Sequence, residues 1–590
     1  MSRAEIVWLD GPVAKARPDG PLRMKEAVYV GAQRLLGEVM RVDADVVTAQ
    51  IYEDTTGLAP GAELEGSGAP LTVELGPGML GAIFDGIQRP LTAFAAGGDF
   101  VRPGVSAPAL DREKTWTFRP ACGVGDRLAG GAVLGEVPET TAFMHRVLVP
   151  PGISGAVTWI APEGAYRVTD TIARVQTGNG EGALTMLSRW PIRAARPVKS
   201  RLAPRAPLVT GQRVLDSLFP IAKGGTAAMP GGFGTGKTVL EQTLAKWCDA
   251  DVIVYIGCGE RGNEMAGVLE EFPTLEDPRN GRPLLERTVI IANTSNMPVA
   301  AREASIYAGV TIAEYFRDQG RHVALFADSI SRWAEALREL SGRLAELPAE
   351  EGYPAYLATR LAEFFERAGS VTTLAGAEGS LTVVGTVSPP GGDFSEPVTA
   401  HARRYVKSFW TLDRFRAQAR FYPAIDPLKS DSEYIAQTER WWQDYAGLRW
   451  RERRQRLLEL MQEQARLEKM VKIVGRDALP AHQRLTLVCA AVFSEAFLRQ
   501  SAFSPADRYC TPRKQAMMLE TLEFFMRRAG EQVAAGADPD RLPELPAVRR
   551  LQRMGEDIAG EDAAPFEELT RALDTELAAL SGASAKSPAP

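Results

Sequence analysis

The stretch that decides the fold runs from Gly231 to Thr238 and reads Gly-Gly-Phe-Gly-Thr-Gly-Lys-Thr. It matches the pattern GxxxxGK[ST] in full, and the segment Val239–Lys246 behind it has the composition of a helix. Glycines let successive backbone N–H groups converge on phosphate oxygens, and the helix start adds the positive end of its dipole. The motif therefore predicts a phosphate-binding loop that opens a helix.

Each position of this loop has an expected role in holding ATP or ADP with Mg²⁺. Lys237 is expected to meet the β and γ phosphates, and Thr238 is expected to ligate Mg²⁺. The predicted nucleotide contacts form one continuous run: Gly231, Gly232, Phe233, Gly234, Thr235, Gly236, Lys237, Thr238 and Val239. The alternative is a glycine-rich turn that happens to precede Lys-Thr, but the helix behind it and two acidic segments downstream favour the phosphate loop.

The first acidic segment, Val323–Asp328, is an apolar strand that ends in a carboxylate. In phosphate-loop enzymes an acid at the sheet edge holds the Mg²⁺ shell, which makes Asp328 the predicted metal-shell acid. The alternative is that Asp328 or Ser329 only caps a helix at 331–340.

The second acidic segment begins with an apolar strand from Asp251 and delivers Glu260 and Arg261 on a glycine-flanked turn. Hydrolysis requires a group that positions water and partly removes its proton, and Glu260 is the best-placed candidate. The alternative is a Glu–Arg surface pair on a loop, and position alone does not choose between the two interpretations.

Hydrophobic patterning divides the chain into different kinds of segment. Alternation over Glu38–Tyr52 suits a small β-barrel or sandwich, and short apolar runs such as Val252–Ile256 are typical of buried parallel strands. Beyond about residue 433 the pattern becomes helical and charged. The predicted order is an N-terminal β-barrel at 1–75, a connection at 76–111, an inserted β-rich module at 112–190, a mainly parallel α/β nucleotide-binding domain at 191–432, an α-helical domain at 433–580 and a disordered tail at 581–590.

The composition of the chain argues against several classes of protein function. The chain has 590 residues with 68 Lys and Arg against 74 Asp and Glu, and this net charge of −6 argues against nucleic acid as the main partner. Five scattered cysteines and four separated histidines predict neither a disulfide framework nor a zinc site. Apolar runs are too short for a spanning helix and the start lacks a signal sequence, so a cytosolic chain is predicted.

Several segments resemble one family, the catalytic A subunits of V/A-type rotary ATPases and ATP synthases. The resemblance covers about residues 25 to 515. It rests on four segments, namely Glu74–Leu91, Glu260–Glu264, Ser329–Glu339 and Glu351–Tyr356. A fifth segment, Pro423–Ser432, fits a signature of the wider rotary group. The inserted module resembles the A-subunit bulge around Val147–Val157, which F-type β subunits and secretion ATPases lack, and noncatalytic B subunits lack an intact phosphate loop with lysine.

The resemblance implies a RecA-like ATPase domain that hydrolyses or makes ATP, with roles for particular residues. Lys237 and Thr238 would bind phosphate and Mg²⁺, Glu260 would orient water, Arg261 would touch phosphate, and Asp328 would sit on the Mg²⁺ shell. Phe421 and Tyr422 resemble the aromatic segment that packs on adenine, the alternative being two core aromatics at a strand end.

The resemblance also implies partners. Three A chains would alternate with three noncatalytic B chains in a ring, and each B chain would supply an arginine finger. The helical domain would contact a central rotor stalk. Peripheral stalk subunits and a membrane sector that transports H⁺ or Na⁺ would complete a complex whose catalytic part lies on the cytoplasmic side of the membrane.

The sequence departs from the common family pattern at three positions. Gly232 replaces Pro or Ala, Thr235 replaces Ser or Cys, and Ala400 replaces Gln, while Asp426-Pro427 is more like the F-type β chain. The first two changes keep a usable loop.

Two other function classes are weaker. A hexameric nucleic-acid translocase needs a basic or aromatic platform in its barrel, but residues 38–76 are acidic. A chain that holds nucleotide without turnover is disfavoured by the intact Lys237, Glu260 and Asp328.

Overall fold

The computed structural model describes residues 2–92, 104–105, 107–178, 180–277, 281–446 and 449–584. Part of the predicted connection (93–103 and 106) and residues 585–590 of the predicted tail lie outside the described residues. The chain forms two compact units, each assembled from several segments. The first comprises Met1–Ala203, Lys223–Ala228 and Ala250–Val406, and the second comprises Pro204–Ala222, Met229–Asp249 and Lys407–Pro590.

The first unit begins with a closed barrel in which the strand order is β1-β2-β5-β4-β3-β6 and all neighbours are antiparallel. The six strands are β1 (Arg3–Asp10), β2 (Val13–Pro18), β3 (Glu26–Val30), β4 (Leu35–Val42), β5 (Val47–Ile51) and β6 (Glu63–Pro70). Alternate apolar side chains such as Ile6, Val28 and Val39 fill its interior. The alternation in β4 and β5 is thus that of a barrel strand with one face inward.

The inserted module is bracketed by β7 (Thr72–Leu75) and β17 (Ser188–Pro191), which pair with each other. Between them lie two four-stranded sheets, ordered β12-β11-β9-β14 and β10-β13-β15-β16. The intervening strands are β8 (Ile83–Phe84), β9 (Thr115–Pro120), β10 (Arg127–Leu128), β11 (Val133–Pro138), β12 (Met144–Leu148), β13 (Gly155–Ile160), β14 (Gly164–Arg167), β15 (Thr171–Thr177) and β16 (Gly180–Thr185). Since β8 pairs with a later strand, only β9 to β16 belong to the module.

A buried polar chain fixes this module to the core of the same unit. One nitrogen of His145, Nδ1, lies 2.6 Å from Glu139 Oε2, and its Nε2 lies 2.9 Å from the hydroxyl of Tyr315 on the helix Val299–Asp318. All three side chains are buried, so each needs the partner that it has. His145 therefore has a structural role.

The core of the first unit is a mainly parallel sheet ordered β19-β24-β22-β20-β21-β8, with β23 antiparallel to β24 and paired with β18. The remaining strands are β18 (Ser200–Leu202), β19 (Thr226–Pro230), β20 (Val252–Glu260), β21 (Thr288–Thr294), β22 (His322–Asp328), β23 (Gly369–Thr372) and β24 (Glu378–Val387). The apolar runs at Val252–Ile256 and Val323–Asp328, which the sequence predicts to be strands, lie in β20 and β22, and these two strands are parallel neighbours.

Helices accompany this sheet. The α-helices of the first unit are Gly262–Glu271, Val299–Asp318, Ile330–Arg343, Leu357–Phe365 and Pro397–Tyr405, with short 3₁₀ turns at Phe272–Thr274, Leu284–Arg287, Glu350–Gly352 and Pro390–Gly392. The helix Val299–Asp318 is buried along nearly its whole length. The strands of the parallel sheet and the helix Ile330–Arg343 pack against it, and its Tyr315 and Phe316 contact the inserted module.

One arginine ties the barrel to this central helix. Arg193 donates from Nε and Nη2 to Glu38 of the barrel at 2.8–3.1 Å, and from Nη1 and Nη2 to Glu303 of the helix at 2.8 Å. The hydroxyl of Tyr52 donates to Glu38 at 2.6 Å. Two buried carboxylates therefore share one cation.

The second unit is mainly helical. Its elements are the α-helices Lys237–Trp247, Arg414–Gln418, Ile435–Ala446, Trp450–Val474, Ala481–Phe493, Pro512–Ala534, Pro546–Asp557 and Ala564–Ser584, π-helical turns at Val214–Leu218 and Ser494–Leu498, a 3₁₀ turn at Pro539–Glu544, and the paired strands β25 (Ser408–Phe409) and β26 (Asp431–Ser432). The last helix continues through residues 581–584, which the sequence placed in a tail. Small residues there are compatible with a helix, so composition alone did not mark its end.

The segment 204–222 is built into the helical unit. The buried guanidinium of Arg213 forms an ion pair with Asp507 and donates from Nε to the carbonyl of Phe497 at 2.9 Å. Trp450 stacks on Trp442 with ring centroids 5.7 Å apart and donates to the carbonyl of Ser217 at 3.0 Å. The contacts of Arg213 with Asp507 and Phe497, and that of Trp450 with Ser217, join positions more than 200 residues apart. A linear division at 191 and 433 does not contain this relation.

The predicted fold class is confirmed: an N-terminal barrel, an inserted β-rich module, a mainly parallel α/β core and a helical C-terminal part are all present. Among the described residues, every helix is too short or too polar to cross a membrane.

Candidate functional site

The predicted phosphate loop lies in the second unit, directly before the helix Lys237–Trp247. Gly234 and Gly236 have positive φ angles of 75° and 83°, and no described side chain caps the helix start at Gly236. The Nζ of Lys237 donates to the carbonyls of Gly231 at 2.5 Å and Gly232 at 3.3 Å. An N-terminus left open behind a glycine-rich turn is the arrangement that binds anions.

Two glycines of the loop border open space. A Cβ added at Gly232 or Gly234 would meet no atom within 4 Å. Thr235 turns inward instead and donates from Oγ1 to the carbonyl of Gly232 at 2.8 Å, which braces the loop. The departures from the family pattern at these positions therefore leave the loop able to receive a ligand.

Of the two aromatic residues assigned to adenine, only Tyr422 borders the loop. A Cβ on Gly236 would lie 3.4 Å from Tyr422 Cε1, and the tyrosine is 44% exposed. Phe421 lies under the guanidinium of Arg416, 4.8 Å from the ring centroid. The backbone N–H of Gln500 donates to the carbonyl of Tyr422 at 2.8 Å, a support that nothing in the local sequence indicates.

The predicted carboxylates lie in the first unit, at one edge of the parallel sheet. Asp328 ends β22 opposite Gly257 of β20, and Glu260 ends β20 three residues later. Because the strands are parallel, their carboxyl ends bring both acids to the same edge. Asp328 is buried and accepts a hydrogen bond from Thr386 Oγ1 at 2.6 Å.

The capping alternative applies to Ser329 and not to Asp328. The Oγ of Ser329 accepts from the backbone N–H of Arg332 at 3.3 Å and caps the helix Ile330–Arg343. Asp328 is held by Thr386 on β24. Sequence reasoning missed Thr386, since the strand that carries it has no distinguishing motif.

Gly259 allows β20 to carry Glu260 to this position. Its φ is +71°, and the pairing with β21 shifts register between Cys258 and Glu260. A Cβ there would come within 2.8 Å of Arg302 Cδ and 3.0 Å of Arg332 Cβ. A residue with a side chain would meet both strain and collision, so glycine is required here.

The surroundings of Glu260 favour its protonated form. Burial raises the pKa of Glu260 to about 9, with the Asp328 charge and the Glu264 carboxylate adding to the rise, while the Arg332 guanidinium opposes it. A cation placed beside these carboxylates would lower the pKa of Glu260 again. The edge of the sheet is therefore suited to a metal ion or another positive group.

Arg261 occupies the position next to Glu260. It is exposed and serves as the N-cap residue of the helix Gly262–Glu271, with its carbonyl accepting from the N–H of Met265 at 3.0 Å. Mg²⁺ commonly uses one or two carboxylates together with substrate phosphates, so Asp328 with Glu260 nearby fits such an ion.

We expect Glu260→Gln to change how stability depends on pH. The unfolded carboxyl loses its proton near pH 4.5, whereas the folded one keeps it to about pH 9. The stabilisation that comes from this bound proton is therefore at its full value below pH 4.5, and it decreases as the pH rises toward about 9. The free energy of unfolding falls by no more than about 1.4 kcal/mol per pH unit. Glutamine does not titrate, so the stability of the variant rises relative to that of the wild type as the pH increases.

Calorimetric unfolding across this pH range would measure the effect, with Glu5→Gln on the exposed face of the barrel as the control. Parallel curves for wild type and Glu260→Gln would contradict the raised pKa of Glu260.

Four family models match consecutive parts of the chain. They are the ATP synthase alpha/beta beta-barrel domain at 8–68, the alpha/beta barrel-sandwich domain at 107–193, the alpha/beta nucleotide-binding domain at 211–432 and the C-terminal domain of V and A type ATP synthase at 439–542. Fold and phosphate loop together define a nucleotide-binding chain of the ATP synthase class.

Sequence identity to curated relatives shows which kind of ATP synthase chain this is. The chain is 53% identical over 98% of its length to the A subunit of the A-type ATP synthase of Methanopyrus kandleri, covering 98% of that protein. It is 50% identical over 97% of its length to the V-type ATP synthase alpha chain of Halothermothrix orenii, covering 98% of it. The chain belongs to this family of A-type and V-type catalytic subunits.

A solved structure shares the fold at lower similarity. The assembled ATPase EscN of the enteropathogenic E. coli type III secretion system matches with a TM-score of 0.64 and 21% identity, over 88% of this chain and 99% of that one. The family assignment confirms the expected membership, the enzyme class of ATP hydrolases and synthases, and nucleotide binding.

Proposed function

We propose that the chain is the catalytic A subunit of a rotary complex and hydrolyses or makes ATP with Mg²⁺ at interfaces with a noncatalytic B subunit. Rotation would couple this reaction to transport of H⁺ or Na⁺. The observation that carries the proposal is the intact phosphate loop, with Lys237 folded onto it and an open helix start behind it. A nucleotide-holding subunit without turnover would not need the carboxylate edge as well.

Lys237 and Thr238 hold the phosphates in this proposal, and Thr238 and Asp328 hold Mg²⁺. Bound Mg²⁺ neutralises charge that develops on the transferred phosphoryl group. The hydrogen bond from Thr386 fixes the carboxylate of Asp328, so this acid can offer an oriented oxygen. Thr386 is therefore a positioning residue.

Glu260 orients the attacking water and takes a share of its proton. The group has to be ionised to do so, and a cation beside it supplies the required fall in its pKa. Arg332 already acts in this direction. Arg261, exposed next to Glu260, contacts phosphate. In the direction of synthesis, Glu260 returns the proton to the departing water by the same path.

Adenine packs on the aromatic segment Phe421–Tyr422. The closeness of Tyr422 to Gly236 supports Tyr422 as the main contact. The ring of Phe421 contacts the guanidinium of Arg416 instead, and we assign Phe421 a supporting role in this segment.

The proposed partners follow from the family. Three A and three B chains form the ring, and each B chain adds an arginine finger that stabilises charge in the transition state. The helical domain meets the central rotor stalk, and peripheral stalk subunits hold the ring. In this proposal the chain lies on the cytoplasmic side of the membrane, and the stalks connect it to the membrane sector.

Co-expression of the chain with its B partner tests the proposal. We expect Mg²⁺-dependent ATP hydrolysis in the purified complex and about a thousandfold less in the chain alone, since an arginine finger is worth roughly that factor. Omission of Mg²⁺ is the control. A lone chain as fast as the complex would remove the need for a partner arginine.

A further inference from the structure

Gln500, a buried residue of the second unit, has its whole side-chain amide engaged in hydrogen bonds. Its Oε1 accepts from the backbone N–H of Arg213 at 2.8 Å, and its Nε2 donates to the carbonyls of Gly211 and Asp507, each at 2.8 Å. The residue is 4% exposed. Both amide hydrogens and the amide oxygen are thus used inside the protein, so this side chain is fixed in place.

The backbone of the same residue reaches the aromatic segment beside the phosphate loop. The N–H of Gln500 donates to the carbonyl of Tyr422 at 2.8 Å. The ring of this tyrosine borders Gly236, and its hydroxyl donates to the carbonyl of Ala417 at 3.3 Å, which is long for such a bond. The position of the ring beside the loop therefore depends on a peptide group that Gln500 holds.

The chain around Gln500 is packed onto another segment of the same unit. The N–H of Cys510 donates to the carbonyl of Gly211 at 2.9 Å, and the guanidinium of Arg213 forms its ion pair with Asp507. Replacing the amide of Gln500 by an apolar group would take a hydrogen-bond partner from the N–H of Arg213 and from the carbonyl of Asp507. Buried backbone groups without a partner cost free energy, so the segment would shift and the N–H of residue 500 would move with it.

A second buried glutamine, Gln515, allows a comparison within this unit. Its Oε1 accepts from the hydroxyl of Ser217 at 2.7 Å, and its Nε2 donates to Asp216 at 3.0 Å and to the carbonyl of Cys510 at 2.9 Å. Its backbone N–H donates to the carbonyl of Thr511 at 2.9 Å. The two glutamines make the same number of side-chain hydrogen bonds, but the backbone N–H of the first one holds the aromatic segment.

We infer that Gln500 is a positioning residue for the base of the bound nucleotide and acts through Tyr422. The inference rests on the proposed packing of adenine on this tyrosine. Gln500 fixes the peptide of Tyr422 before the nucleotide arrives, so the ring does not have to be ordered during binding. The phosphates contact the loop itself and do not depend on this support. A shift of the segment 500–510 would thus change the affinity for the base and leave the phosphate contacts in place.

Calorimetric titration of the full chain with ADP and with pyrophosphate, both in the presence of Mg²⁺, tests this inference. Pyrophosphate has the two phosphates of ADP but no base. We expect Gln500→Met to bind ADP about fivefold more weakly, the factor that ordering one side chain during binding is worth, and to bind pyrophosphate as the wild type does. Gln515→Met is the matched control, because it removes three buried hydrogen bonds nearby, and it is expected to change the ADP affinity by less than about twofold.

A double-mutant cycle with Tyr422→Ala tests whether the effect passes through the tyrosine. Loss of a ring that stacks on a base should weaken ADP binding by about tenfold or more. If Gln500 acts through this ring, adding Gln500→Met to Tyr422→Ala should weaken ADP binding no further. A residue with a purely structural role would instead weaken binding by the same factor in both backgrounds.

Three results would overturn the inference: equal ADP affinities in Gln500→Met and Gln515→Met, full additivity of Gln500→Met with Tyr422→Ala, or loss of pyrophosphate binding in Gln500→Met. If Tyr422→Ala itself leaves the ADP affinity unchanged, the proposed adenine contact is wrong and the inference fails with it. Turnover of the assembled complex is measured separately, so the proposed ATPase function can hold or fail independently.

Discussion

Glu260→Gln is expected to lower the ATP turnover of the assembled complex by about 10²–10⁴-fold and to leave nucleotide affinity nearly unchanged. The amide has the size of the carboxyl group but cannot take up a proton. The phosphate loop does not include Glu260, so the groups proposed to hold the phosphates are untouched. The loss therefore falls on the chemical step.

Steady-state hydrolysis and equilibrium binding of a fluorescent ADP analogue would separate these two effects. Glu264→Gln is the control, because it removes a neighbouring carboxylate and leaves Glu260 in place; a much smaller loss is expected from it. Lys237→Ala is expected to weaken binding instead. If Glu260→Gln keeps most of the turnover, the role given to Glu260 is wrong.

Arg193→Met is expected to destabilise the first unit by roughly 3–5 kcal/mol. The substitution keeps most of the side-chain volume but leaves the carboxylates of Glu38 and Glu303 buried beside each other without their cation. Within the described part of the chain, the carboxylate of Glu38 would keep one side-chain hydrogen bond, the one from Tyr52. The barrel should loosen from the helix Val299–Asp318 before the sheet unfolds.

Hydrogen exchange of the barrel amides and thermal unfolding of the chain would measure this. Arg34→Met, which breaks an exposed pair with Glu65, is the control and should cost less than about 1 kcal/mol. Adding Glu38→Gln and Glu303→Gln to Arg193→Met should recover much of the loss. No recovery would show that packing of the arginine, and not its charge, holds the barrel.

Short sequence patterns predicted several strands and helices well, because these elements depend mainly on neighbouring residues. Apolar runs marked the buried strands that became β20 and β22, and the residues behind the phosphate loop formed the helix Lys237–Trp247. The sequence also placed Glu260 and Asp328 each after an apolar strand, and the structure shows that these two strand ends share one sheet edge. Each of these predictions depended on fewer than about fifteen consecutive residues.

Long-range partners were not predictable in this way. Thr386 holds Asp328 from 58 residues away, and Gln500 supports Tyr422 from another part of the chain. The choice between Phe421 and Tyr422 depends on which of two adjacent side chains faces Gly236. Tertiary packing determines these partners and side-chain orientations, and no periodicity in the sequence predicts them.

The ion pair between Arg213 and Asp507 has a consequence for how the protein is made. The two residues are 294 positions apart, and both belong to the second unit. At roughly 5–20 residues per second, the ribosome adds Asp507 some 15–60 s after Arg213. A nascent chain therefore carries an unfinished nucleotide-binding unit for that time, with a guanidinium awaiting burial, and this is the interval in which chaperones would have most to protect.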